Sequence, residues 1–119
     1  MIKTENDFKM DVALAGSRFA KTWQNVQIRW SEMLSRCEQP KRTGETVAEY
    51  AKMDKEMQAQ KKDVGGFVGG ILRDGKRRNG HVVGRSMATL DIDFGTGNVW
   101  EDFTDAYSCA AMIYTTHKH

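Results

Sequence analysis

Two short stretches hold the residue types best able to do chemistry. Residues 89–94 read TLDIDF and residues 114–119 read YTTHKH. On an extended strand, Asp91 and Asp93 share one face about 6.5–7 Å apart. Two carboxylates that close repel each other unless a cation sits between them or one takes a proton. A rigid pair of hard oxygen ligands suits Mg²⁺ or Mn²⁺, leaving room for phosphate oxygens and water. Thr115 and His117 likewise share a strand face, so a hydroxyl and an imidazole can converge on one oxyanion, with Lys118 beside them. An imidazole there can donate to phosphate or shuttle a proton. The bland alternatives are a solvated edge strand for the two aspartates and a frayed terminus for the histidines, above all His119. A zinc site on His81, His117 and His119 lacks a fourth soft ligand at useful spacing.

These residues need elements to hold them. In residues 86–94, Ala88, Leu90, Ile92 and Phe94 alternate with Met87, Thr89, Asp91 and Asp93, the pattern of a strand with one buried face. Residues 98–109 read as a helix, with Asn98 and Glu101 at capping-box spacing. Its inner stripe is Val99, Phe103, Ala106 and Tyr107. Residues 110–116 are apolar enough for a strand buried on both faces. The expectation is a β-α-β unit over residues 86–118. Its parallel strands would bring Asp93 and His117 to the same edge of the sheet, where α/β folds place their sites.

Upstream, residues 9–30 read as one or two strands about the AGS turn, and residues 31–40 as a short helix capped by Ser31 and ended before Pro40. Residues 46–62 read as one helix, with a Thr46–Glu49 capping box and Val47, Tyr50, Ala51, Met53 and Met57 near helical period. The glycines of DVGGFVGGIL suggest a turn into a strand and a close backbone approach. They do not form a phosphate loop, because no lysine and hydroxyl follow. Asp74-Gly75 and Asn79-Gly80 then signal a hairpin with a basic tip.

The chain has 119 residues, 39% hydrophobic and 29% charged. That composition fits one globular domain and excludes a disordered chain. No apolar run is long enough to cross a bilayer, and the first ten residues lack a signal region. Cys37 and Cys109 read as idle thiols in a reducing compartment, so the expected location is cytoplasmic. Net charge is only +2, but its distribution is uneven. Arg73, Lys76, Arg77, Arg78 and Arg85 gather in one stretch against a single acid. Asp91, Asp93, Glu101, Asp102 and Asp105 follow with no base among them. A basic hairpin next to an acidic site suits a polyanion held near cations, and a solvated hairpin tip explains the bases equally well. For Trp23, a core position is favoured over stacking on a base.

SRFAKTW, RTGETVAEY, KDVGGFVGG, LDIDF and YTTHKH together resemble the N-terminal primase–polymerase domain of phage, prophage and plasmid replication proteins. That domain belongs to the archaeo-eukaryotic primase superfamily and often precedes a helicase-like region of the virulence-associated type. The resemblance implies an α/β (α+β) two-layer domain, incomplete here. Residues 1–64 would form a strand and helix module, and residues 65–119 the glycine-rich strand, basic hairpin and catalytic half. It implies template-directed nucleotidyl transfer from an NTP or dNTP on single-stranded DNA. Asp91 and Asp93 would be metal ligands, Thr115 and His117 triphosphate contacts, and Arg73, Lys76, Arg77, Arg78 and Arg85 template contacts. The family's third acidic motif has no counterpart, so the chain reads as the N-terminal portion of a longer domain, inactive or impaired alone. Glu101 and Asp102 are poor substitutes. Helicase-like or other replication proteins are the implied partners, and an open sheet edge would favour self-association. Two rival readings are a non-catalytic nucleic-acid or protein interaction module and a metal-dependent nuclease.

Overall fold

The computed structural model describes residues 7–93 and 95–115. It is a mixed α/β arrangement of two small sheets and several helices. The first sheet contains β1 (Lys9–Ala15), β2 (Gln24–Arg29) and β3 (Gly66–Val68), with β1 central and both neighbours antiparallel to it. The second is the hairpin of β4 (Gly70–Leu72) and β5 (Val82–Arg85).

The side chains of β1 explain its central place. Met10, Val12 and Leu14 point to one face and Ala13 and Ala15 to the other. The first face packs on Trp30 and Met33 of helix α1 (Trp30–Glu38), with Val26 and Ile28 of β2 completing the layer. Ile28 and Val26 stand opposite Met10 and Val12 in the antiparallel register. The second face uses alanines because the Trp23 indole and Leu72 fill the space there. Both faces of β1 are therefore dry, and Val12 and Ala13 are fully buried. Trp23 is 3% exposed, which makes it a core residue.

Helix α1 starts where expected but is capped from outside. Asp7 Oδ1 accepts from Ser31 N at 2.9 Å and Asp7 Oδ2 from Ser31 Oγ at 2.8 Å. Ser31 thus donates to a carboxylate from before β1 instead of capping the helix itself. The Thr46–Glu49 capping box is present, with Glu49 N donating to Thr46 Oγ1 and Thr46 N to Glu49 Oε2. The helix it begins is short. Residues 46–62 form two helices, α2 (Val47–Lys52) and α3 (Lys55–Lys61). Asp54 accepts from Met57 N at 2.8 Å and caps α3, so the chain breaks at Met53. Of the expected apolar stripe only Tyr50 is buried, and Val47 is 81% exposed.

The glycine-rich stretch makes its close approach to the chain's own backbone. At Gly65, with φ +92°, a Cβ would lie 2.7 Å from Ala15 O. Beyond β4 a single 3₁₀ turn (Arg73–Gly75) leads into the hairpin tip, with Asp74, Gly75 and Gly80 at positive φ. The hairpin and its basic tip are as the turn signals implied. Asn25 joins the sheets: its amide donates to Leu72 O at 2.8 Å and accepts from Leu72 N at 2.9 Å.

The β-α-β unit expected over residues 86–118 departs from this structure. Its helix exists as α4 (Val99–Ala106), but residues 86–93 and 107–115 are not strands. Ser86 N and Met87 N donate to Gly69 O, and Ser86 Oγ to Asp11 O. After Met87 the chain leaves the sheet. An alternating pattern becomes a strand only when a neighbour takes its backbone groups, and among the described residues no strand pairs with it. Leu90 and Ile92 are 71% and 51% exposed, and the helix buries none of its residues. Asn98 makes no side-chain cap bond. Among the described residues no helix is long and apolar enough to cross a membrane.

Candidate functional site

Two segments that could carry chemistry converge on α1. Met87 packs against the Met10–Val12–Trp30–Met33 cluster. Met112 packs on the same cluster and so docks residues 110–115. Tyr114 lies beside Cys37 of α1. Burial pushes the Tyr114 hydroxyl up, and the neighbouring thiol adds to the shift. Burial raises the Cys37 thiol too, only partly offset by Arg36. This thiol is therefore disfavoured as a nucleophile.

Between α1, the 39–46 loop, α2 and the Gly65–Phe67 backbone lies an open cleft of about 1560 Å³. Thr89 and Thr115 both line it, from segments 26 residues apart in sequence. Arg36, Lys41, Arg42 and Lys62 line it as well, against the carboxylates of Glu38 and Glu45. Lys41 Nζ donates to Val64 O at 3.0 Å, which fixes the loop across the cleft. A cleft lined by four cations and several hydroxyls, Thr89 and Thr115 among them, can hold a polyphosphate.

Asp91 and Asp93 follow Thr89 on exposed chain outside any strand. Their oxygens are hard donors of the kind Mg²⁺ or Mn²⁺ takes. Among the described residues no group of three His, Cys, Asp or Glu side chains could hold a metal ion. The donor chemistry fits such an ion, and the two aspartates would supply only part of its shell. Phe94, His117, Lys118 and His119 lie outside the described residues, so the pairing of Thr115 with His117 does too.

The five bases of the hairpin, Arg73, Lys76, Arg77, Arg78 and Arg85, are all exposed. None of them forms an ion pair with a carboxylate among the described residues, where the salt bridge is Arg29–Asp7 at 4.0 Å. They stand on a frame fixed to the core, since Trp23 N donates to Gly75 O at 2.7 Å.

Sequence reasoning missed the cleft cations. Lys41 and Arg42 stand together after Pro40, a short basic pair that could have been noticed. Arg36 is isolated and Lys62 belongs to the Lys61–Lys62 pair at the end of α3, and only the fold brings the two to one cleft.

Fold and site together define a mixed α/β domain with a cationic cleft, an adjoining acidic segment and a separate basic hairpin. Over residues 1–119 the chain matches the family model described as the VapE N-terminal domain, and it belongs to that family. This agrees with the resemblance to the N-terminal domain of virulence-associated-type replication proteins. Comparison with curated proteins and with solved structures returned no match.

Proposed function

We propose that this domain serves template-directed nucleotidyl transfer, as in a primase–polymerase of phage or plasmid replication. The observation that carries the reading is one cleft lined by both Thr89 and Thr115 together with Arg36, Lys41, Arg42 and Lys62. In this reading the cleft takes the triphosphate of an NTP or dNTP. Thr115 donates to a phosphate oxygen, His117 and Lys118 add charge-assisted contacts, and the wall cations neutralise the rest. Asp91 and Asp93 would hold Mg²⁺ or Mn²⁺, which when bound polarises the phosphates and activates the attacking hydroxyl. Arg73, Lys76, Arg77, Arg78 and Arg85 would hold single-stranded template.

The two-layer primase-like arrangement belongs to this proposal. Residues 86–94 and 110–116 would become its parallel strands when a further strand pairs with them. That pairing would bring the aspartates and His117 to one edge and hide Leu90 and Ile92. A third carboxylate, a helicase-like region and other replication proteins would come from outside the described residues. The same open edge would let two copies associate.

The test is primer synthesis and extension on a single-stranded template with Mn²⁺ and NTPs or dNTPs. It compares this chain, a longer form and Asp91→Ala/Asp93→Ala in both. Activity that depends on both aspartates is the expected result. Equal activity in the double variant removes the assigned chemistry.

One observation favours a second reading, a nucleic-acid interaction module without catalysis. The basic hairpin is fully formed and anchored on Trp23, while the acidic segment is outside any sheet. Divalent-metal titration separates the two, because binding lost in the double variant favours the catalytic reading.

A further inference from the structure

The tip of the β4–β5 hairpin is more ordered than a solvated run of bases requires. The Arg77 guanidinium carbon lies 5.5 Å from the centroid of the buried Trp23 ring, which holds one face of that group by a cation–π contact. Arg78 Nε donates to His81 Nε2 at 3.1 Å, and His81 Nδ1 lies 3.1 Å from Arg73 O. An arginine Nε can only donate, so His81 Nε2 accepts. The ring proton is then on Nδ1, which donates to the Arg73 carbonyl. Two of the guanidiniums are thus held by fixed groups, with their outer N–H edges left for another partner.

Arg77, Arg78, Asn79 and Arg85 rim a pocket of about 420 Å³ whose floor includes Val68 and Leu72. No carboxylate lines it. The pocket therefore joins three positive charges, those of Arg77 and Arg78 held in place, with a side-chain amide and an apolar surface in a space of small-ligand size. A metal cation is repelled, and an apolar peptide would leave the guanidiniums unpaired. A nucleotide unit meets every requirement: phosphate for the arginines, a base face for the apolar floor and a base edge for Asn79.

We infer that this pocket seats one unstacked nucleotide of a single-stranded nucleic acid, with its phosphate on Arg77, Arg78 and Arg85. The inference rests on the proposal that the hairpin is a nucleic-acid face, and adds a discrete seat to it. Duplex does not enter, because its bases are stacked inside and only its phosphates reach the surface. Arg73 and Lys76 lie outside the pocket and serve general attraction.

The test is fluorescence anisotropy of the full chain with a labelled oligothymidylate, with unlabelled single strand, blunt duplex and inorganic tripolyphosphate as competitors. Circular dichroism checks each variant's fold. Arg78→Ala and Arg85→Ala are each expected to weaken single-strand binding about tenfold or more. Asn79→Ala is expected to weaken it while leaving tripolyphosphate competition unchanged, and Lys76→Ala to have a smaller effect. Single strand should compete far better than duplex. If Arg85→Ala weakens single strand and duplex equally, the hairpin remains a nucleic-acid face and the single-nucleotide seat is overturned. If neither Arg78→Ala nor Arg85→Ala changes binding of any nucleic acid, the face itself is wrong.

Discussion

Ser17 Oγ donates to Asp63 Oδ2 at 2.5 Å, joining two loops 46 residues apart. Asp63 Oδ1 also accepts from Arg18 N at 2.8 Å. These bonds tie SRFAKTW to KDVGGFVGG, two of the stretches that carry the family resemblance. They set the β1–β2 turn against the entry to β3 and so align the wall of the cleft. Here two motif residues serve architecture: Ser17 and Asp63 hold the loops together.

Acid should loosen this clasp first. The Ser17 hydroxyl, then the Arg18 N–H, hold the Asp63 carboxyl below its ordinary range. The Ser31 backbone N–H and hydroxyl do the same for Asp7 at the start of α1. A depressed folded-state pKa contributes stability that is present above the unfolded value and lost as pH falls through the folded one. The urea midpoint should therefore be flat near neutrality and fall below about pH 4. Asp63→Asn should lower the midpoint at pH 7 and reduce the acid-side loss. An unchanged pH profile in Asp63→Asn would show that the clasp contributes no linkage.

Two glycines at similar φ should respond differently to alanine. Gly75 has φ +65°, and a Cβ there would lie 2.6 Å from Trp23 O. Gly80 has φ +79° with nothing within 4 Å. Gly80→Ala should cost about 1–2 kcal/mol, the left-handed backbone penalty alone. Gly75→Ala adds a clash with the carbonyl of a buried tryptophan and should cost more, about 3 kcal/mol or above. Urea denaturation of the two variants gives the order directly. Equal losses would mean that the hairpin is not seated on Trp23 as described.

The proton on His81 is a spectroscopic observable. The Arg78–His81–Arg73 chain requires the Nδ1–H tautomer at neutral pH. Long-range ¹H–¹⁵N correlation should show that tautomer in the free protein. Arg78→Ala should return the ring toward the mixture of tautomers seen in exposed imidazoles. An Nε2–H tautomer in the unmodified chain contradicts the geometry.

What the sequence made legible follows from where each pattern finds its partners. β1, β2 and the basic hairpin were readable because their neighbours are near in sequence and their turns are marked by glycine. The 46–62 helix was read too long because helical periodicity outweighed Asp54, a residue equally able to start a new helix. Residues 86–94 have a clear strand alternation, yet Leu90 and Ile92 stand exposed. Alternation records which face would be buried and says nothing of whether a partner is beside it. Arg36 carried no local signal and the Lys61–Lys62 pair only that of a helix end, since the fold alone brings Arg36 and Lys62 to one cleft.

Metal binding can be separated from catalysis by using Mn²⁺ as a paramagnetic probe. If Asp91 and Asp93 hold the ion, substoichiometric Mn²⁺ should broaden their amide resonances before those of Glu101, Asp102 and Asp105 on α4. Thr89, two residues before Asp91, should broaden next. Thr115, across the cleft, should broaden only after a triphosphate is added, because the phosphate would draw the ion toward the Arg36 and Lys62 wall. Asp91→Ala/Asp93→Ala should abolish the selective broadening while leaving the β1–β2–β3 resonances in place, since neither aspartate touches that sheet's core. Two exposed carboxylates make a weak site, and a third ligand should tighten it. A longer form that supplies one should therefore show the same pattern at lower Mn²⁺. Broadening centred on Glu101 and Asp102 would move the ion to the helix and separate it from the cleft.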